Sequence, residues 1–164
     1  MTDTLALAVL IAATLTMGLV AGVFLLYAHT VMPGLRDTDD RTFVAAFQAL
    51  DRAIVNPLFM TTGFLGALVF TAAAAVLHWD EDPFWWVVAA LLLYLVTVVV
   101  TGAVNVPRND ALKAAGDPDE IDLAGARAAF DEATWSRWNL LRVLTTTLAF
   151  LLLCWALVLA GSAR

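Results

Sequence analysis

Strong metal ligands are almost absent from these 164 residues: the chain holds one cysteine, Cys154, and two histidines, His29 and His78. A single cysteine excludes an internal disulfide and every zinc or iron–sulfur spacing built from cysteines. Two histidines set far apart cannot supply a haem pair or a multi-histidine iron or copper centre. His78 beside Asp80 and Asp82 is a weak metal pattern, so no metal site is expected. The sequence also lacks a phosphate-cradling glycine loop, an HExxH and a GxSxG. It has no basic stripe interleaved with aromatics, which excludes a nucleic-acid partner. Charge of either sign is scarce. Only 15% of residues are charged and 62% are hydrophobic, against roughly 25% and about 45–50% in soluble domains. That balance excludes disorder and is too apolar for one small soluble core.

What is present is concentrated in four apolar runs, roughly 5–27, 57–77, 84–104 and 143–160. Each is near the ~20 residues that cross about 30 Å of hydrocarbon as a helix. Lipid offers no partner to an unpaired backbone group, so all four must be helices, the Val-rich stretch 96–101 included. The expected fold is an all-α, integral membrane four-helix bundle, one domain over 1–164. Eight of the nine Lys and Arg residues lie in or beside the first and third loops. By the positive-inside rule those loops face the cytoplasm of a multi-pass cell-membrane protein, with both termini outside. Net charge is −6, but this sidedness says more than the sum. No positive residue precedes the first run, which is longer than a signal h-region, so no cleavable signal peptide is expected.

The two inner loops carry structure. In 39–54, Phe43, Phe47, Leu50 and Ile54 recur at helical spacing, with Asp40, Arg41, Asp51 and Arg52 read as turned away. That is an amphipathic helix, expected at the membrane surface. In the third loop, Asn105-Val-Pro107 is expected to stop the helix. Gly116-Asp-Pro118 marks a turn before a short helix through Leu123, Ala126 and Phe130. Gly18-Leu-Val-Ala-Gly22 permits close backbone approach, within the chain or to a second copy.

The polar residues that a lipid-filling sequence would avoid collect at the inner ends of the spans. His29 falls in the expected last turn of the first span, and Asn56 opens the second. Asn105 and Asn109 follow the third. Trp135, Trp138, Asn139 and Arg142 lead into the fourth at i, i+3, i+4 and i+7, one helix face. Two flat rings, an amide and a fixed cation suit a planar, partly anionic ligand. Each residue also has a plainer use. Tryptophan belongs at interfaces and arginine can snorkel; Asn-Pro caps a helix start; a histidine can simply sit at the boundary.

Asn56-Pro57, Asn105-Val-Pro107-Arg-Asn109 and Trp135-Ser-Arg-Trp138-Asn139-Leu-Leu-Arg142 resemble the motifs of the anthrone oxygenase-like family of small four-span membrane proteins. Tyr27-Ala-His29-Thr-Val-Met-Pro33-Gly34 is similar to that family's end of the first span. The pattern shows no clear departure, although Arg108 stands where an apolar residue is expected. The resemblance implies a membrane-embedded, cofactor-independent oxygenase acting on a flat, phenolic, apolar substrate, of the anthrone-to-anthraquinone type. On that reading His29 is the general base and Arg142 steadies the oxyanion. Asn105, Asn109 and Asn139 donate further hydrogen bonds, and Trp135 and Trp138 stack on the rings. Asn56 adjoins the substrate, which arrives laterally from the bilayer. The alternative is a non-catalytic membrane protein that binds a lipophile or serves as a partner subunit, with transport a third reading. An open pocket bordered by His29 and Arg142 favours the enzyme; a filled, fully paired polar layer favours the scaffold.

Overall fold

In the computed structural model, which describes residues 2–162, four helices are long and apolar enough to cross a membrane: 3–36, 59–77, 84–114 and 123–162. The first joins α1 (Thr2–Leu26) to α2 (Met32–Arg36). After α3 (Asp40–Ile54) comes α4 (Gly66–Leu77), and α5 (Phe84–Val100) follows a short loop. Finally α6 (Val106–Ala114) and α7 (Leu123–Phe130) lead to α8 (Glu132–Ser162). In the bundle α1 packs on α4 and α8, and α5 closes the ring against the same two helices. Leu10, Met17, Ala67, Ala74, Val87, Ala90, Tyr94 and Leu153 are buried at its centre. Leu15, Leu58, Val99 and Leu144 face outward, where a soluble protein would place polar groups. Trp79 and Trp85 stand exposed at the short-loop end, the place of an aromatic belt. Gly18 is an internal contact: a Cβ there would meet the Phe150 ring at 2.9 Å, whereas one on Gly22 would meet nothing within 4 Å.

Prolines shape the other end. Neither Pro33 nor Pro107 ends its helix, contrary to the expectation for Pro107. Each follows a π-helical segment, Tyr27–Val31 and Thr101–Asn105. A helix-interior proline has no N–H for the carbonyl four residues back, and its ring crowds that carbonyl. Widening the preceding turn relieves both problems: Met32 N–H bonds Tyr27 O and Val106 N–H bonds Thr101 O, five residues back. His29 therefore lies in a wide turn inside a continuing helix, not in a last turn. A third such segment, Phe59–Leu65, begins two residues after Pro57. Carbonyls beside these segments still need donors in lipid. Tyr94 Oη donates to Phe64 O at 2.7 Å, Thr61 Oγ1 to Pro57 O at 2.5 Å, and Arg108 Nη1 to Val104 O at 3.1 Å. That bond gives Arg108 a use at its unexpected position.

Both long loops fold back beneath this end as a cap. The expected amphipathic helix is present as α3, started by Asp39, whose carboxylate accepts the Thr42 N–H at 2.9 Å. Its apolar face meets protein: Phe43, Val44 and Phe47 are buried with Met32, Leu112, Phe130 and Trp135. Arg127 binds the two loops together. It donates to Thr38 O and Asp40 at 2.9 Å and to Arg36 O at 3.0 Å, with its guanidinium 4.4 Å from the Phe43 ring centre. The fourth span starts earlier than expected. Asp131, at φ 52°, ends α7, and its side chain accepts the Thr134 N–H in the first turn of α8.

Candidate functional site

Where the cap meets the bundle, the π-helical segments, the end of α1 and α3, α6 and α8 surround a cavity of about 330 Å³. That volume lies at the lower end of the range of small-molecule sites. Phe24, Phe47, Phe59, Phe64 and Trp135 give it aromatic walls. Its polar lining comprises Tyr27, Thr101, Asn109 and Arg142, with Asp51, Asp110 and Lys113 on the cap side.

Arg142 is the unusual member. Only 5% of it is exposed, and among the described residues no carboxylate lies within ion-pairing distance of it. Nη2 donates to Asn139 Oδ1 at 2.9 Å, while Nη1 reaches Thr101 Oγ1 only at 3.4 Å and Nε has no partner. The guanidinium carbon lies 4.4 Å from the Phe24 ring centre and 5.4 Å from that of Trp135. Ring faces attract a cation but do not neutralise it. A buried cation whose donors are only partly used, on the wall of an apolar cavity, has the charge and free N–H groups with which an anionic oxygen can be bound.

The other residues singled out in the sequence divide. Trp135 and Asn109 line the cavity and are joined, Trp135 Nε1 donating to Asn109 Oδ1 at 2.8 Å. Asn139 is buried behind Arg142, its amide donating to Phe24 O at 3.2 Å. Asn105 is buried off the cavity, tying the third span to the fourth through Trp135 O at 3.3 Å. Trp138 is 39% exposed and not on the cavity. At about 100° per residue it lies some 60° to one side of Trp135, while Asn139 lies 40° to the other, toward α1. Asn56 is also away from the cavity and acts as a cap: Oδ1 accepts the Phe59 N–H and Nδ2 donates to Ala53 O, both at 2.9 Å. His29 is exposed, its Nδ1 2.6 Å from Thr30 Oγ1, and it does not border the cavity with Arg142 as expected. The wide turn continues the helix past it and directs Tyr27 inward instead.

Asp51, expected to turn away from the apolar face, is buried on the cavity wall. Asn109 Nδ2 donates to its Oδ1 at 2.6 Å, and Lys113 Nζ stands 2.6 Å from Oδ2. The signal was in the spacing. Asp51 is four residues after Phe47 and three before Ile54, on the apolar face itself. Lys113 and Tyr27 gave no comparable sign.

Over residues 53–152 the chain matches the family model described as anthrone oxygenase. That segment contains Asn105, Asn109, Lys113, Trp135, Asn139 and Arg142, whereas His29 and Asp51 precede it. No curated protein and no solved structure matches the chain. With the match covering more than half of its length, the chain belongs to the anthrone oxygenase family.

Proposed function

We propose that this protein is a membrane oxygenase whose substrate is a flat, phenolic, apolar molecule of the anthrone type, with O₂ as co-substrate and no resident cofactor. The observation that carries the reading is Arg142, buried on the wall of an aromatic cavity with no carboxylate partner among the described residues. Loss of a ring-methylene proton turns an anthrone into an aryl-oxide anion. Arg142 receives that anionic oxygen, and Trp135 and Phe24 lie along the rings. The electron-rich ring carbon then reacts directly with O₂. The peroxide anion formed at that carbon takes a proton from water, and the resulting hydroperoxide loses the remaining ring hydrogen together with its outer OH as water, leaving one oxygen in the new carbonyl and the other in the water.

Substrate reaches the cavity from the side. Its rim includes Val55 and Val106, both exposed apolar residues between the starts of the second span and α6. The capped end, with its Lys and Arg residues, faces the cytoplasm. A non-catalytic lipophile carrier is the second reading, favoured by Asn105 and Asn139, both of which bond backbone carbonyls as structural glue would.

The test uses purified protein in lipid vesicles with a hydroxylated anthrone, following O₂ uptake and quinone absorbance together. Wild-type protein accelerates both, and Arg142→Gln loses the acceleration while its helical content is unchanged. Binding of the anthrone with no acceleration by wild-type protein would establish the carrier instead.

A further inference from the structure

The cavity has two charged groups that do not neutralise each other. Arg142 is on one wall and Asp51 is on the cap side, and each has other partners. Carbanion chemistry needs a cation where charge arrives on oxygen and a base where the proton departs from carbon. A carboxylate serves as that base when the oxyanion is well held, as in ketosteroid isomerase.

Asp51 also has a route to water. Its side chain is 8% exposed and touches Lys113, which is 27% exposed. Lys113 in turn lies 3.0 Å from Asp110, which is 62% exposed. These three proton-binding groups line the same cavity, in order from its interior to solvent. Asn109 anchors the inner member and connects it to Trp135. A carboxylate has about four lone-pair positions, so its bonds to Asn109 and Lys113 leave room for a substrate proton. As pure structure the arrangement is wasteful. A buried ion pair is often replaceable by apolar residues without loss of stability, and α3 already packs through Phe43 and Phe47.

We infer that Asp51 is the proton acceptor for the substrate's methylene group and that Lys113 and Asp110 pass that proton to water. This rests on the oxygenase reading above. The C–H bond breaks, its electron pair moves onto the carbonyl oxygen beside Arg142, and the proton lands on an Asp51 oxygen. Lys113 then releases a proton through Asp110 and takes up the one held by Asp51, restoring all three groups.

Exchange of the methylene protons of a hydroxylated anthrone in D₂O without O₂, followed by NMR, isolates this step from oxygenation. Wild-type protein in vesicles exchanges them well above the protein-free rate. Asp51→Asn lowers the enzyme-driven rate at least about 100-fold, the lower bound for general-base catalysis, while anthrone affinity stays within about threefold. Lys113→Gln, at a partly exposed position, slows it about tenfold and decides the matter if Asp51→Asn does not fold. Wild-type exchange rates in either folded variant overturn the inference and leave the oxygenase reading standing. Wild-type protein that neither binds the anthrone nor speeds its exchange removes that reading and this inference together.

Discussion

Replacing Arg142 by methionine separates a functional cation from a structural one, because the two predict stability changes of different size. A charged arginine within a span costs about 2.5–3.5 kcal/mol. Its returns are modest. The hydrogen bond to Asn139, three residues earlier on the same helix, is worth no more than the about 0.6 kcal/mol, at most ~1.7, of polar contacts made between membrane helices. The faces of Phe24 and Trp135 add ~0.5–1 kcal/mol each. The 3.4 Å approach to Thr101 is too long to add much. Cost and return nearly cancel, so Arg142→Met leaves unfolding free energy within about 1 kcal/mol of wild type, measured by denaturant titration in mixed micelles. Ligand affinity behaves differently. Removing one partner of a desolvated charge pair costs 2–5 kcal/mol, so a hydroxylated anthraquinone phenolate, stable in air, binds roughly 30-fold or more weakly. A stability loss above about 3 kcal/mol, the mark of a broken buried ion pair, together with unchanged affinity would refute the reasoning.

His29→Asn keeps wild-type turnover within about twofold in the O₂-uptake assay, since its ring is exposed and off the cavity; a loss beyond tenfold would return it to the site. Tyr94→Phe strips Phe64 O of its donor and lowers stability by about 1 kcal/mol in the same titration. The Asp39 carboxyl titrates below the usual carboxylate range because Thr42 N–H, and then its hydroxyl, hydrogen-bond to the charged form. A depressed folded value gives stability that is complete above the ordinary value of about 3.9 and is lost as pH falls through the lower one. Thr42 amide exchange in α3 should therefore accelerate only in acid below that range, and acceleration near neutrality would count against the cap.

The spans were legible because lipid leaves an apolar run of 20 residues few alternatives. Arg142 and Trp135 were legible too, as a cation and a ring at i and i+7 on one face. What escaped the sequence came from two physical sources. Pro107 was read by the rule that proline ends a helix, but Thr101–Asn105 widens and carries the helix onward, placing Asn109 and Lys113 at the cavity. The same widening at Tyr27–Val31 put Tyr27, not His29, on the inside. Asp51 was assigned to solvent by its charge although its spacing from Phe47 placed it with the apolar residues. Pattern was the better guide there, because Asn109 and Lys113 make a buried carboxylate tolerable. Trp138 and Asn56 had residue types that suited a ligand, yet helix phase sends one outward and backbone capping occupies the other.

Each π-helical turn holds one residue more than an α-helix needs for the same span of backbone. Deleting one residue inside Tyr27–Val31 or Thr101–Asn105 therefore hands the chain back to a regular helix, where a deletion elsewhere in a span would throw every later side chain off its face. The bundle is built to survive such shortening, and the casualty is local: only side chains inside the widened segment, Tyr27 and Thr101 among them, lose their present directions. These two stretches are places where a shorter homologue could keep the scaffold and shed the chemistry.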